Sequence, residues 1–374
     1  MKRDEIRSLT GLRGVAALLV MAYHFEVVPR ISAEGLPSIG PGYLMVDLFF
    51  VLSGFVMARS YGAAFRNGMS WPRYRSFLEA RIARVYPLYA LVCTTVFVLT
   101  KLHLTKSASF PVRAFIADMT MLENLGAGWV GPGFAEYLDP PSWSISTEFG
   151  AYLLFPALAL LTLHRSRRVA LTVFVLCVGT VLWLGQMPHS WRHQSFNSDP
   201  LNISTGETLW PLARCLAEFS VGLLTYRASV ALATTKRRWG GDILILTSLV
   251  TGWLVPEADM LIVGLFPILI LQVCEDSTPL AKCLSSYVPY RFGEWSYAIY
   301  LLHWPALDLL RVIEPRLQHL GINHVHGVSL AVLAAIVIAT SAAVHRIIEK
   351  PARRFLRSAF HLGFRSVRSE PSAP

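Results

Sequence analysis

Apolar runs of roughly twenty residues, the length that crosses a bilayer's hydrocarbon core, recur along this chain and constrain everything else it can be. Ten of them fall near residues 9–28, 43–58, 85–104, 145–163, 169–184, 211–226, 243–255, 260–274, 296–313 and 328–347. The two short runs near 250 and 267 flank Pro256-Glu257-Ala258-Asp259, a turn signal, so they read as a helical hairpin rather than one long helix. Only 16% of the 374 residues are charged, against about 25% in a soluble domain whose surface must be solvated. Lipid is therefore the solvent this sequence expects. The predicted fold is all-α: a polytopic membrane bundle of about ten transmembrane helices.

Charge placement orients that bundle. With the N-terminus cytoplasmic and the helices alternating, 25 of the 34 Lys and Arg fall in inside loops, 6 in outside loops, and Arg13, Arg214 and Arg311 lie within helices. Such an asymmetry is what the positive-inside rule requires, and it places both termini in the cytoplasm. The same clustering explains the net charge of +10 without nucleic acid, which is not an expected partner. Five scattered cysteines, Cys93, Cys177, Cys215, Cys274 and Cys283, form no CxxC spacing and no Cys/His cluster, so neither a metal site nor a disulfide framework is expected. The first apolar run holds Arg13 and His24 and no small-x-small site follows it, so it reads as a retained helix rather than a cleavable signal. One membrane domain is expected over residues 1–355, followed by a short basic cytoplasmic tail, 356–374. Two long outside segments, 105–141 and 186–210, have the length of functional loops.

A charge in mid-membrane costs roughly 2.5–3.5 kcal/mol on insertion scales, so such residues normally face the bundle interior and mark a site. Arg13 and His24 are eleven residues apart. That is within about 20° of three helical turns and separates them by roughly 16 Å, so they share one stripe, Arg13 toward the cytoplasm. Between them Gly14-Val15-Ala16-Ala17 lets a neighbour approach closely. The competing reading has Arg13 snorkelling to lipid and His24 capping the outer end.

Asp47 and Glu148 fall near the external ends of their helices, at the level of His24. Either carboxylate could hold one imidazole nitrogen and leave the other as a general base; either could equally be interfacial. Ser142-Trp143-Ser144-Ile145-Ser146-Thr147 precedes Glu148 and concentrates hydroxyls and an aromatic at a helix start. Arg214 and Glu218, four apart, can neutralise each other. Tyr300 and His303 share a helix face and either line a cavity or bond between helices. Six arginines, Arg59, Arg66, Arg73, Arg75, Arg81 and Arg84, crowd one inside loop; they suit anionic lipid or a phosphorylated cytosolic molecule, and Arg81 and Arg84 stand nearest the bundle.

These stretches resemble the membrane acyltransferase-3 family. Leu9-Thr10-Gly11-Leu12-Arg13-Gly14-Val15-Ala16-Ala17 through Tyr23-His24-Phe25 is similar to its first helix, in which a basic residue and a histidine are separated by ten positions. Phe49-Phe50-Val51-Leu52-Ser53-Gly54-Phe55 resembles the second-helix motif, and Arg81-Ile82-Ala83-Arg84-Val85-Tyr86-Pro87 its Arg-x-x-Arg element. Ser142-Trp143-Ser144 to Glu148, Ser296-Tyr297 through His303-Trp304-Pro305, and Glu349-Lys350-Pro351 complete the series. The resemblance implies a multi-pass enzyme of the cell inner (cytoplasmic) membrane that moves an acyl group from acetyl-CoA or another acyl-CoA to a hydroxyl. The implied acceptor is a carbohydrate of the envelope or an exported polysaccharide, with a macrolide-type small molecule as the alternative and a proton-coupled transporter as the rival class. Several members carry an extracytoplasmic hydrolase-like domain; none is recognised here, so catalysis is expected to rest on the membrane domain. In that scheme His24 is the base and Arg13, Glu148 and Asp47 assist it. Arg81, Arg84 and Arg13 hold the donor, and Ser142, Trp143, Tyr300 and His303 contact the acceptor. No metal is implied.

Overall fold

In the computed structural model, residues 5–27, 40–102, 111–124, 137–188, 200–204, 208–233, 239–255, 258–275, 277–319 and 326–359 are described. Parts of both long outside segments, and residues 360–374 of the basic tail, lie outside them. Helices follow in the order α1 (Arg7–Val27), α2 (Met45–Tyr61), α3 (Trp71–Lys101), α4 (Val112–Met119), α5 (Ser142–Ala159), α6 (Arg167–Gly185) and α7 (Trp210–Ala231). They continue with α8 (Trp239–Leu254), α9 (Asp259–Val273), α10 (Pro279–Ser285), α11 (Tyr287–His319), α12 (His326–Val344) and α13 (Lys350–Ala359). Each of the ten apolar runs is helical, and no strand occurs among the described residues. α1 and α2 are the most enclosed of the long apolar helices, while α6 and α12 turn most of their apolar surface outward, as lipid-facing helices do. The protein is an all-α membrane bundle.

α3 departs from expectation. Its 31 residues start fourteen positions before the apolar run, so Arg73, Arg75, Arg81 and Arg84 stand on a helix rather than in a loop. Pro72 occupies the first turn, where its missing N–H costs nothing. The residues that follow, Arg-Tyr-Arg-Ser-Phe-Leu-Glu-Ala-Arg, include several strong helix formers. Hydropathy marks where a helix meets lipid, not where it begins.

Contacts sort the ends of the bundle. Arg7 Nε donates to the Ser285 carbonyl at 3.3 Å, Arg84 pairs with Glu349, and Lys350 Nζ reaches Glu294 Oε1 at 3.3 Å. The starts of α1 and α11 therefore share one Arg-rich end with α13. Tyr43 bonds Asp259 and Arg214 bonds the Leu201 carbonyl at the opposite end. The positive-inside rule makes the Arg-rich end cytoplasmic.

Two backbone-to-backbone crossings hold the bundle together. A Cβ at Gly14 would stand 2.5 Å from the Gly293 nitrogen, and one at Gly293 only 1.9 Å from the Thr10 carbonyl oxygen, so α1 and α11 touch through their main chains. α2 and α7 meet likewise, a Cβ at Gly54 falling 2.0 Å from the Phe219 oxygen and one at Gly222 2.1 Å from the Val51 oxygen. Close approach through glycine lets membrane helices gain packing and polar contacts that lipid cannot supply.

Next to the α2–α7 crossing sits a buried charge network. Arg214 grips both oxygens of Asp47, Nε to Oδ1 at 2.8 Å, and lies 3.6 Å from Glu218. Arg214 and Asp47 are 1% and 0% exposed, so neither charge has water to fall back on. The expected Arg214–Glu218 pair is present, but Asp47 is the closer partner.

Gly222→Val should destabilise the detergent-solubilised protein by about 1–3 kcal/mol or more, the range for overpacking. Gly179→Val, where an added Cβ meets nothing, should leave the melting temperature near wild type. Asp47→Ala should cost about 3–5 kcal/mol by taking the closer carboxylate from a buried guanidinium, while Asp47→Leu, Arg214→Met and Glu218→Leu combined, which remove the whole charge group, should recover most of that loss; thermal unfolding of wild type and the two variants checks this.

Candidate active site

Because α1 and α11 touch, the polar stripe of one meets that of the other. Ser296, Tyr300 and His303 recur on α11 at offsets of zero, four and seven, which keeps them on one face. Arg13 Nη2 donates to Ser296 Oγ at 3.3 Å, and Ser296 Oγ donates in turn to the Gly293 carbonyl at 2.9 Å. About three turns further along α1, His24 Nδ1 lies 2.9 Å from His303 Nε2, with the rings nearly parallel at a centroid distance of 5.0 Å. The edge of Trp304 closes over His24 at 5.3 Å.

Hydrogen-bond roles follow from the last partner in this chain. His303 Nδ1 is 3.2 Å from the Ile299 carbonyl, which only accepts, so Nδ1 carries the proton. Neutral His303 then presents a lone pair at Nε2, and His24 must donate to it from Nδ1. That leaves the Nε2 lone pair of His24 unprotonated and available as a base.

Two cavities lie along the stripe. The first, 170 Å³, occupies the Arg-rich half and is lined by Arg13, Arg81, Arg84 and Glu148 among apolar side chains such as Phe49 and Met57. The second, 130 Å³, contains His24 and is walled by Tyr23, Tyr43, Tyr137, Trp143 and Trp304, with Asn202, Ser204 and Arg214 supplying polar groups. Among the described residues no carboxylate lies within ion-pair distance of Arg13 or Arg81. Arg81 Nη2 donates to the Tyr61 hydroxyl at 2.9 Å and its guanidinium stacks 5.0 Å from that ring. Arg84 is paired with Glu349, whose other oxygen accepts from His345 Nδ1 at 2.8 Å.

Neither carboxylate expected to orient His24 does so. Asp47 is committed to Arg214. Glu148 sits about 9 Å down α5 from its first residue, in the first cavity, where it accepts from the Tyr152 hydroxyl at 2.5 Å. The expectation of equal depth failed because helix starts in this bundle are not level: α5 begins beside Tyr300, part-way into the bundle, as the 2.7 Å contact of Ser144 Oγ with the Tyr300 hydroxyl shows. His303 takes the orienting position instead. Trp143 and Tyr300 do line the second cavity, and Ser142 does not; its fully buried Oγ has no hydrogen-bond partner among the described residues. Ser296 was within a quoted motif but not among the expected site residues, and its spacing to Tyr300 and His303 was the available signal. The external tyrosines, Tyr23, Tyr43 and Tyr137, carried none, since they come from separate segments.

Comparison with known proteins gives this geometry its family. A family model described as an acyltransferase domain matches residues 6–344. The acyltransferase MdmB of Streptomyces mycarofaciens is 27% identical, over 94% of this chain and 92% of its own length. The putative peptidoglycan O-acetyltransferase YrhL of Bacillus subtilis is 26% identical over 93% of this chain, which spans 55% of that longer protein. The putative membrane-bound transacylase BcsY of Komagataeibacter xylinus is 25% identical over 93% of this chain and 83% of its own. No solved structure matches the chain significantly. The resemblance read from the motifs is thus confirmed along nearly the whole length, and the chain belongs to this family of membrane acyltransferases.

Proposed function

We propose that this enzyme moves an acetyl or other short acyl group from cytosolic acyl-CoA to a hydroxyl of an envelope or exported carbohydrate, working in the cytoplasmic membrane. The observation that carries the proposal is the back-to-back pair of cavities: one with Arg13, Arg81 and Arg84 facing a single carboxylate, Glu148, at the Arg-rich end, one with His24, held from behind by His303, among aromatic walls. Arg13 and Arg81 present guanidinium forks suited to phosphate oxygens, with Arg84 beside them. The apolar lining from Phe49 to Met57 suits the uncharged arm of the donor, whose nucleotide stays at the cytoplasmic mouth. In the second cavity, flat aromatic faces match the C–H faces of a sugar ring, and Asn202 and Ser204 offer partners for its hydroxyls. That a relative of similar identity is named as a putative peptidoglycan O-acetyltransferase supports a carbohydrate acceptor.

The chemistry follows from the tautomers. His24 Nε2 takes the proton of the acceptor hydroxyl as its oxygen attacks the thioester carbonyl carbon. A C–O bond forms, the C–S bond breaks, and the imidazolium returns the proton to the leaving sulfur. While His24 is charged, its Nδ1–H bond to His303 becomes charge-assisted and shorter, which steadies the cation without placing a carboxylate there. In a two-step route the same Nε2 would bond the acyl carbon as the C–S bond breaks and CoA leaves, and the acceptor oxygen would then bond that carbon as the C–N bond breaks.

His24→Ala should lower acetyl transfer by about 10²–10⁴, the usual worth of a general base, without changing membrane insertion or melting temperature. Surface glycans of a strain carrying it should lose acetyl groups by mass spectrometry; near-normal glycan acetylation, or loss confined to a secreted small molecule, sinks the assignment. His303→Ala should reduce kcat by about 10- to 100-fold with KM little altered, because it removes orientation rather than binding. His303→Gln should recover part of the loss, since its amide oxygen can accept the His24 Nδ1 proton; equal defects in both variants, or a change mainly in KM, would contradict a positioning role.

A further inference from the structure

Val46 and Tyr300 line both cavities. They come from α2 and α11, and both are buried, at 5% and 6% exposure. The Tyr300 hydroxyl stands 2.7 Å from Ser144 Oγ and 3.1 Å from the Pro141 carbonyl, and Ser144 Oγ is 3.2 Å from the same carbonyl. This closed triangle ties the polar end of the ring to the start of α5. The ring itself meets Phe49 edge-on at 6.0 Å and stands 5.9 Å from His303. It is therefore held between the chamber of Arg13 and the chamber of His24. Pro141, which anchors it, is itself part of the second cavity's wall.

We infer that Val46 and Tyr300 form a septum that keeps the donor thioester from His24 until an acceptor fills the second cavity, so that a hydroxyl of the acceptor rather than water is acylated. The inference rests on the acyl-CoA reading of the first cavity. The arginines that suit the donor's phosphates lie on one side of this wall and the base on the other, so the thioester has to cross at these two residues. Tyr300 is the half that moves, by rotating about its side-chain bonds once the triangle opens; Val46, branched at Cβ, has no comparable swing. An acceptor whose hydroxyls bond the Pro141 carbonyl competes directly with the contact that holds Tyr300 shut. Premature opening would let water play the acceptor's part: its oxygen bonds the acyl carbon, the C–S bond breaks, and the proton passes through His24 to sulfur. The products are a free carboxylic acid and CoA.

The test is release of CoA thiol by the purified full chain given acetyl-, propionyl- or butyryl-CoA and no acceptor. Tyr300→Ala and Val46→Gly should raise this acceptor-independent release at least roughly tenfold over wild type, and adding His24→Ala should abolish the gain, because hydrolysis uses the same base. Tyr300→Phe, which keeps the ring and loses the triangle, should fall between. Val46→Phe, which thickens the wall, should transfer nothing while still binding acyl-CoA measurably, with a weaker affinity than wild type. Wild-type release rates in Tyr300→Ala and Val46→Gly that still bind acyl-CoA, or normal transfer by Val46→Phe, overturn the septum while leaving the donor reading intact. A wild-type protein that neither binds nor consumes any of the three donors overturns the donor reading, and the septum with it.

Discussion

The contact between the main chains of α1 and α11 governs the rest of the molecule. At Gly14 and Gly293 a single added carbon has no room, so the two helices lie as close as backbones permit, and their register is set there. Everything polar on the two facing stripes depends on it. A slip of one residue would move α11 by about 1.5 Å and turn it by about 100° relative to α1. Neither the 3.3 Å bond of Arg13 to Ser296 nor the 2.9 Å bond of His24 to His303 survives such a change. Because the crossing lies toward the Arg-rich end and the histidines beyond it, α1 works as a ruler, holding Arg13 near one face of the membrane and His24, the base of the proposed reaction, toward the other.

Around that ruler the bundle disposes of its ionisable groups in two ways. Arg214 is matched to Asp47 and Glu218, and Arg84 to Glu349, so those charges are compensated inside the protein. Arg13 is bonded to a neutral hydroxyl and Arg81 to a phenol. A buried guanidinium without a directly paired carboxylate is costly unless an anion comes to it, and both of these face the same cavity, where Glu148 is the one lining carboxylate among the described residues. Their partners thus separate the two groups: the Arg214 network is a fastening, while Arg13 and Arg81 face the cavity that the proposed function gives to an anionic donor.

Part of this was legible in the primary structure and part could not be. The helices were readable from apolar runs, and the Arg13–His24 stripe from a spacing of eleven, because both are properties of one segment. The cytoplasmic extension of α3 escaped because arginine-rich sequence looks like loop to a hydropathy argument while being good helix. The partner of His24 escaped for a different reason. Level helix ends would bring Asp47 or Glu148 beside His24, whereas His303 is 279 positions away and reaches it only through the way α1 and α11 cross. Local periodicity put Tyr300 and His303 on one face; only packing decides what that face meets.

The choice of a histidine rather than a carboxylate beside His24 has a physical logic. A carboxylate there would add a permanent charge to a site already inside the bundle, and its desolvation would have to be offset by a neighbouring cation or by keeping His24 protonated. A protonated His24 cannot act as a base. The relay that runs from the Ile299 carbonyl through His303 to His24 is neutral at rest, so it fixes the tautomer without biasing His24 toward the imidazolium. The carbonyl dipole at its far end becomes useful only when positive charge develops on His24 during proton transfer, which is when stabilisation accelerates a reaction rather than merely tightening the resting state.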